Sequence, residues 1–176
     1  MLVAEKQQRE PMLARIARLI GLLFSGVFAG FLTTVLVLEL SMRDQVGSVY
    51  AQVRQIELIG LDVLATVTLL PALLATAILV AATFRKKGAA RWLPSFALVL
   101  FVGVLILTIV VNLPINADQR DWIVSMPPPD WATVRDRWQV SHAVRTVAAA
   151  IAFCCLSVAA LDRRQSSVDR RAADME

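Results

Sequence analysis

Residues 92–117 read WLPSFALVLFVGVLILTIVVNLPINA, from Trp92 to Ala117, 26 residues without one charge. A helix needs about 20 predominantly apolar residues to cross roughly 30 Å of hydrocarbon, so this stretch alone points to a bilayer. Two more runs are long enough: Leu19 to Leu38 has 20 uncharged residues and Val63 to Phe84 has 22. A fourth, Thr146 to Leu161, has only 16 and implies that His142 and Arg145 are drawn into or near the interfacial layer, where a basic side chain can snorkel. The expected fold is all-α: an integral membrane, antiparallel four-helix bundle in one domain over 1–161. Its spans are expected near 17–39, 61–84, 92–113 and 140–161, followed by a polar tail, 162–176.

The whole chain agrees with that reading. Of its 176 residues 57% are hydrophobic and 18% charged, against about 25% charged in soluble domains, and its mean hydropathy is +0.64. A soluble enzyme, a disordered regulator and a disulfide scaffold are all disfavoured. The first apolar run follows Lys6, Arg9, Arg15 and Arg18 as a secretory signal would, but it exceeds the 7 to 15 residues usual for a signal core, so a retained helix is expected. Segments 1–18, 85–91 and 162–176 carry four basic residues each, whereas 39–62 carries two and 118–145 four over greater length. By the positive-inside rule both termini and the Arg85-Lys86-Lys87 turn face the cytoplasm of a multi-pass cell-membrane protein. The net charge of +4 therefore reflects topology; no nucleic-acid partner is implied, and the expected surroundings are lipid. Cys154 and Cys155 are neighbours within the fourth span, where thiols pack as small apolar groups.

The outward connections carry the chemistry. Val49 to Gly60 reads as a helical lead-in to the second span, with Gln55, Asp62 and Thr66 on one face. Asp62 lies just inside an apolar run and needs an inward partner or a proton. Arg54 and Glu57, three apart, read as a surface ion pair. Pro114 is expected to stop the third helix, leaving Asn112 and Asn116 at its rim either to cap the last carbonyls or to bind a ligand. After Pro127-Pro128-Pro129, Asp130 is placed to cap a helix starting at Trp131 and running into the fourth span, its first turns projecting beyond the outer face. Trp131, Arg135, Trp138, His142 and Arg145 then form one stripe, continued by Ala149 and Ala152, which should face the bundle interior.

Each member of the stripe has an ordinary alternative. Trp122, Trp131 and Trp138 could form an interfacial belt, Arg135, Asp136 and Arg137 a solvated face, and His142 a structural histidine. Glu39, Asp62, Asn112, Asn116, His142 and Arg145 nevertheless fall at similar depth on four helices. That predicts one outward-opening pocket.

The run Asn112-Leu113-Pro114-Ile115-Asn116, then Trp131, Arg135 with Arg137 and Trp138, then His142 and Arg145, resembles the anthrone oxygenase-like family of small four-helix membrane proteins. The resemblance is best over 108–150; the first two spans match in layout and around Glu39 and Arg54 to Glu57. It implies an oxygen-dependent oxidoreductase that converts an anthrone carbon into an anthraquinone carbonyl, with a small aromatic or quinol-like substrate. On that expectation His142 is the base, Arg145 stabilises an enolate oxygen, and Asn112 and Asn116 donate hydrogen bonds. Trp131 and Trp138 form a ring platform, with Arg135, Glu39 and Asp62 completing the substrate-binding set. The cofactor stays open between none and a single metal held by Glu39, Asp62 or Glu57 with His142. The rival reading is a non-catalytic accessory or assembly protein, with Asp62 or Glu39 paired to Arg145 to hold the helices in register. A transporter ranks lower, since the halves show no repeat.

Overall fold

The computed structural model describes residues 12–84 and 88–173, so the Arg85-Lys86-Lys87 turn, Lys6 and Arg9 lie outside the described residues. Among the described residues all regular structure is helical: α1 Met12–Ser41, α2 Gly47–Glu57, α3 Leu61–Thr83, α4 Ala89–Leu107, a π-helical turn Thr108–Asn112, α5 Leu113–Arg120 and α6 Trp131–Ala173. Four helical stretches are long and apolar enough to cross a membrane: Met12–Ser41, Leu61–Thr83, Arg91–Arg120 and Trp131–Asp162. Together they support a multi-pass membrane protein.

Packing follows from where the small residues fall. On α1, Ala14, Ala17, Gly21, Ser25, Phe28, Ala29, Leu32, Val35 and Glu39 recur every three to four residues and form its buried face. α1 packs on α3 and α6, and α4 packs on the same two helices, closing a four-helix ring. The shared core holds Phe28, Leu32, Leu69, Phe101, Ala149 and Ala152, where alanines let the backbones approach closely. Outward, every span exposes apolar side chains, among them Leu19, Leu74, Val99 and Val147. Such faces are stable against lipid and not against water. Several hydroxyls on the spans are satisfied within their own helices: Thr33, Thr76, Thr83 and Thr108 each donate to the carbonyl four residues back at 2.7 to 2.8 Å.

The third span departs from the sequence expectation. Helical structure does not stop at Pro114 but continues to Arg120. The π turn explains this: Leu113 N donates to the Thr108 carbonyl, five residues back, so the widened turn relieves the clash a proline ring makes in an α-helix. Pro114 thereby falls in the first turn of α5, where its missing N–H is least needed. The lead-in to the second span also differs. α2 ends at Glu57 and a turn at 58–60 precedes α3, so Gln55 does not share a continuous helical face with Asp62 and Thr66. α6 begins at Trp131 as the sequence suggests, with the Asp130 backbone carbonyl accepting from Thr133 and Val134. Its apolar portion, Trp131–Asp162, is 32 residues, about 48 Å, longer than the hydrocarbon is thick.

Candidate functional site

Where α1, α2, α5 and α6 meet, the polar residues gather around a side chain the sequence reading had placed on the surface. Arg54 is 2% exposed. Its Nη1 donates to Glu57 Oε2 at 2.8 Å and lies 3.1 Å from Glu39 Oε1; Nε donates to Gln119 Oε1 at 3.1 Å, and Nη2 to Asn116 Oδ1 at 3.0 Å. The guanidinium carbon sits 4.2 Å over the Trp138 ring. The Arg54–Glu57 pair is therefore the centre of a buried network, not a solvated bridge. A periodic signal for it exists: Tyr50, Ala51, Arg54 and Glu57 are spaced as one face of α2, and all four are buried.

Asn116 joins three elements. Its Oδ1 also accepts from Trp138 Nε1 at 2.7 Å, and its Nδ2 donates to Asp62 Oδ1 at 2.9 Å. Asp62 is further paired with Arg120. Glu39 receives Gln139 Nε2 on both its backbone carbonyl, at 2.9 Å, and its Oε2, at 3.1 Å. Thus Glu39 pairs with Arg54 and Asp62 with Arg120, where pairing of either with Arg145 was one arrangement the accessory-protein reading allowed. Asn112 and Asn116 do not cap a helix end; Asn112 Oδ1 accepts from Ser141 Oγ at 2.8 Å. Gln119, Gln139 and Ser141, all buried, were not singled out from the sequence, because an amide or hydroxyl in an amphipathic stretch carries no mark of direction.

His142 is 2% exposed and lies parallel to Trp138, with ring centroids 4.6 Å apart and planes 9° apart. Its Nε2 is 2.9 Å from the Leu32 carbonyl of α1. A carbonyl only accepts, so Nε2 carries the hydrogen and the lone pair of the neutral ring is on Nδ1. Nδ1 is buried without a hydrogen-bond partner, as are Arg145 Nε and Asn112 Nδ2. Arg145 is 5% exposed and so lies inside the bundle.

Two predicted members lie elsewhere. Trp131 packs on Tyr50 with ring centroids 5.7 Å apart, and Arg135 lies over Trp131, donates to the Arg43 carbonyl at 2.8 Å and pairs with Asp136. They form a cap over the loop, away from His142. Trp122 and Trp138 are buried, 6% and 4% exposed, with their indole N–H groups bonded to Asp118 and Asn116, so they are internal pieces and not a lipid-facing belt. Tyr50 is fully buried and accepts from Gln119 Nε2 at 3.2 Å. Burial pushes its hydroxyl above the ordinary 10.0, and the Glu39 charge adds to the shift.

The expected outward-opening pocket is not formed; the network is closed. A groove of about 240 Å³ lies on its flank, lined by Val110, Val111, Pro114, Ile115, Val134 and Arg137 among others. The metal-binding alternative also fails to assemble. Glu39 and Glu57 are held by Arg54, Asp62 by Asn116 and Arg120, and no three His, Cys, Asp or Glu residues cluster as ligands among the described residues.

No curated protein and no solved structure matches the chain. A family model described as anthrone oxygenase matches residues 62–155, more than half of the chain, a range that includes Asp62, Asn112, Asn116, Trp138, His142 and Arg145. The chain belongs to the anthrone oxygenase family.

Proposed function

We propose that this membrane protein oxidises a small aromatic carbon acid of the anthrone type with molecular oxygen, and that His142 is its base. One observation carries the reading: a buried imidazole whose tautomer is fixed by the Leu32 carbonyl, leaving Nδ1 free to accept a proton. The reaction needs no further oxidant. Nδ1 takes a proton from the ring CH2, and the electron pair left on carbon reacts with oxygen and takes the proton back as a carbon-bound hydroperoxide. Nδ1 then takes the second C–H proton; its electrons form the C=O bond, the O–O bond breaks, and the departing hydroxide leaves as water with that proton. Substrate carbon is oxidised, oxygen is reduced, and His142 ends neutral.

Trp138 stacks on His142 and lies under the Arg54 guanidinium, so a substrate ring would have to take the place of one of these contacts to stack on the indole. Access requires a displacement, since His142 and Trp138 are buried, and the flanking groove beside the π turn is the route proposed. The proposed orientation, both termini cytoplasmic and the polar network toward the outer face, rests on the basic residues of the termini and the 85–91 turn. A non-catalytic role is favoured by the Arg54 network, in which all three guanidinium nitrogens find partners.

Oxygen uptake by the full chain in lipid nanodiscs with anthrone separates the two. His142→Gln keeps a polar side chain of similar reach and is expected to lower the rate about 100-fold or more while the protein stays folded. Undiminished uptake by that variant would overturn the reading.

A further inference from the structure

The groove beside the π turn is apolar at one end and charged at the other. Val110, Val111, Pro114 and Ile115 supply an apolar wall from the third span, and Asp118 of α5 and Arg137 of α6 line the same groove. Depth orders these residues. About 20 residues of helix cross the hydrocarbon, and counted from Trp92 that length ends at Val111, so Val110 and Val111 fall at its edge and Asp118 about two turns beyond. Counted back from Leu161 it ends at His142, which leaves Arg137 about one and a half turns beyond. Both charges therefore fall at headgroup depth, above an apolar wall whose deep end, Val110, is exposed on the outside of the bundle.

The two charges do not meet each other. Asp118 Oδ2 accepts from Trp122 Nε1 at 3.1 Å, and Arg137 makes no hydrogen bond and no ion pair among the described residues. Arg43, Arg54, Arg120 and Arg135 each have a carboxylate within 4.0 Å, so the open state of Arg137 sets it apart from them. A cation and an anion that line one groove and stay unpaired suit a ligand that carries the opposite of each. A singly anionic lipid would meet Arg137 but be repelled by Asp118. The groove, about 240 Å³, is smaller than the roughly 300 to 1,000 Å³ usual for small-molecule sites, and suits a headgroup whose chains stay in the bilayer.

We propose that this groove binds a zwitterionic aminophospholipid, with its phosphate on Arg137, its ammonium on Asp118 and the start of a chain along Val110, Val111, Pro114 and Ile115. A guanidinium pairs with phosphate through parallel N–H groups, and a primary ammonium donates to a carboxylate. The site is separate from the oxidation chemistry. An aromatic substrate that uses the same route displaces the lipid.

The test is native mass spectrometry of the full chain, released from nanodiscs that contain phosphatidylethanolamine and phosphatidylglycerol of matched chains in equal amounts. Wild type is expected to retain phosphatidylethanolamine about fivefold or more over phosphatidylglycerol, the factor contributed by one charge contact near the membrane surface. Asp118→Asn keeps an oxygen for Trp122 Nε1 and removes the negative charge, so its two lipids should be retained alike. Arg137→Gln should retain about fivefold less of either lipid. Both positions are exposed, so neither change disturbs the buried core and a loss of lipid is not a loss of fold. Equal retention of the two lipids by wild type would overturn the site, as would a preference for the anionic lipid or a wild-type pattern in Asp118→Asn. An unchanged amount of retained lipid in Arg137→Gln would remove the phosphate contact, and the proposal with it.

Discussion

Arg54 stands between two buried carboxylates, so the consequence of removing it is set by what is left behind. In Arg54→Met, Glu39 and Glu57 would lose their common cation, and breaking a buried pair costs about 3 to 5 kcal/mol. Arg43→Met, whose partner Asp136 is about half exposed, should cost less than about 1 kcal/mol. Denaturant unfolding of both variants in the same micelles checks the contrast, and equal losses would contradict it. Tyr50, the one tyrosine in the chain, reports on the same region through pH. Its hydroxyl is held above the ordinary 10.0 by burial, so the folded state keeps it neutral where an unfolded chain would ionise it. Stability is then fully present below about pH 10 and is lost as pH rises through the higher folded value. Tyrosinate absorbance should appear only on unfolding at pH values just above 10, and Tyr50→Phe should flatten the alkaline loss. At this scale the sequence marked His142, Arg145, Asn112 and Asn116 by charge or polarity beside apolar runs. It did not mark Arg54, because i,i+3 spacing to Glu57 is the same on a buried and on a solvated face.

α2 is the element that closes the network, and one close approach fixes its seat. A Cβ on Gly47 would lie 2.8 Å from the Trp131 indole and 2.9 Å from Pro127, too near for any side chain without movement. Gly47→Ala is expected to destabilise by about 1 to 3 kcal/mol by pushing α2 off the loop before α6. Gly30, on the outer face of α1 with open space around it, is the control: Gly30→Ala should be neutral or slightly stabilising. Thermal unfolding followed by tryptophan fluorescence distinguishes them, since Trp131 lies at the contact. The π turn shows why the end of the third span was misread. Pro114 breaks an ideal α-helix, but one five-residue-wide turn ahead of it lets the chain continue and carries Asn116 and Gln119 to Arg54.

On the proposed orientation, the connections on either side of the bundle can be told apart by labelling. In a background with Cys154 and Cys155 replaced by alanine, Gln45→Cys and Ser125→Cys should react with a membrane-impermeant maleimide applied to intact cells. Lys87→Cys should react only after permeabilisation, and the reverse pattern would invert the topology. The number of apolar helices and their approximate positions were legible in the sequence because bilayer thickness and charge exclusion act on each segment alone. The stripe on α6 was legible for the same reason: a helical period is a local property. Which polar groups meet was not. Whether Glu39 pairs with Arg54 or Arg145, whether Trp131 joins His142 or Tyr50, and whether Asn112 caps or reaches Ser141 depend on helix rotation and on the close packing of α1, α3, α4 and α6. The sequence by itself determined a helical membrane protein with polar exceptions near the ends of its spans; only the tertiary structure decided which exceptions satisfy one another. Hydrophobicity is summed along one segment, whereas a hydrogen bond needs two groups brought within about 3 Å from distant parts of the chain.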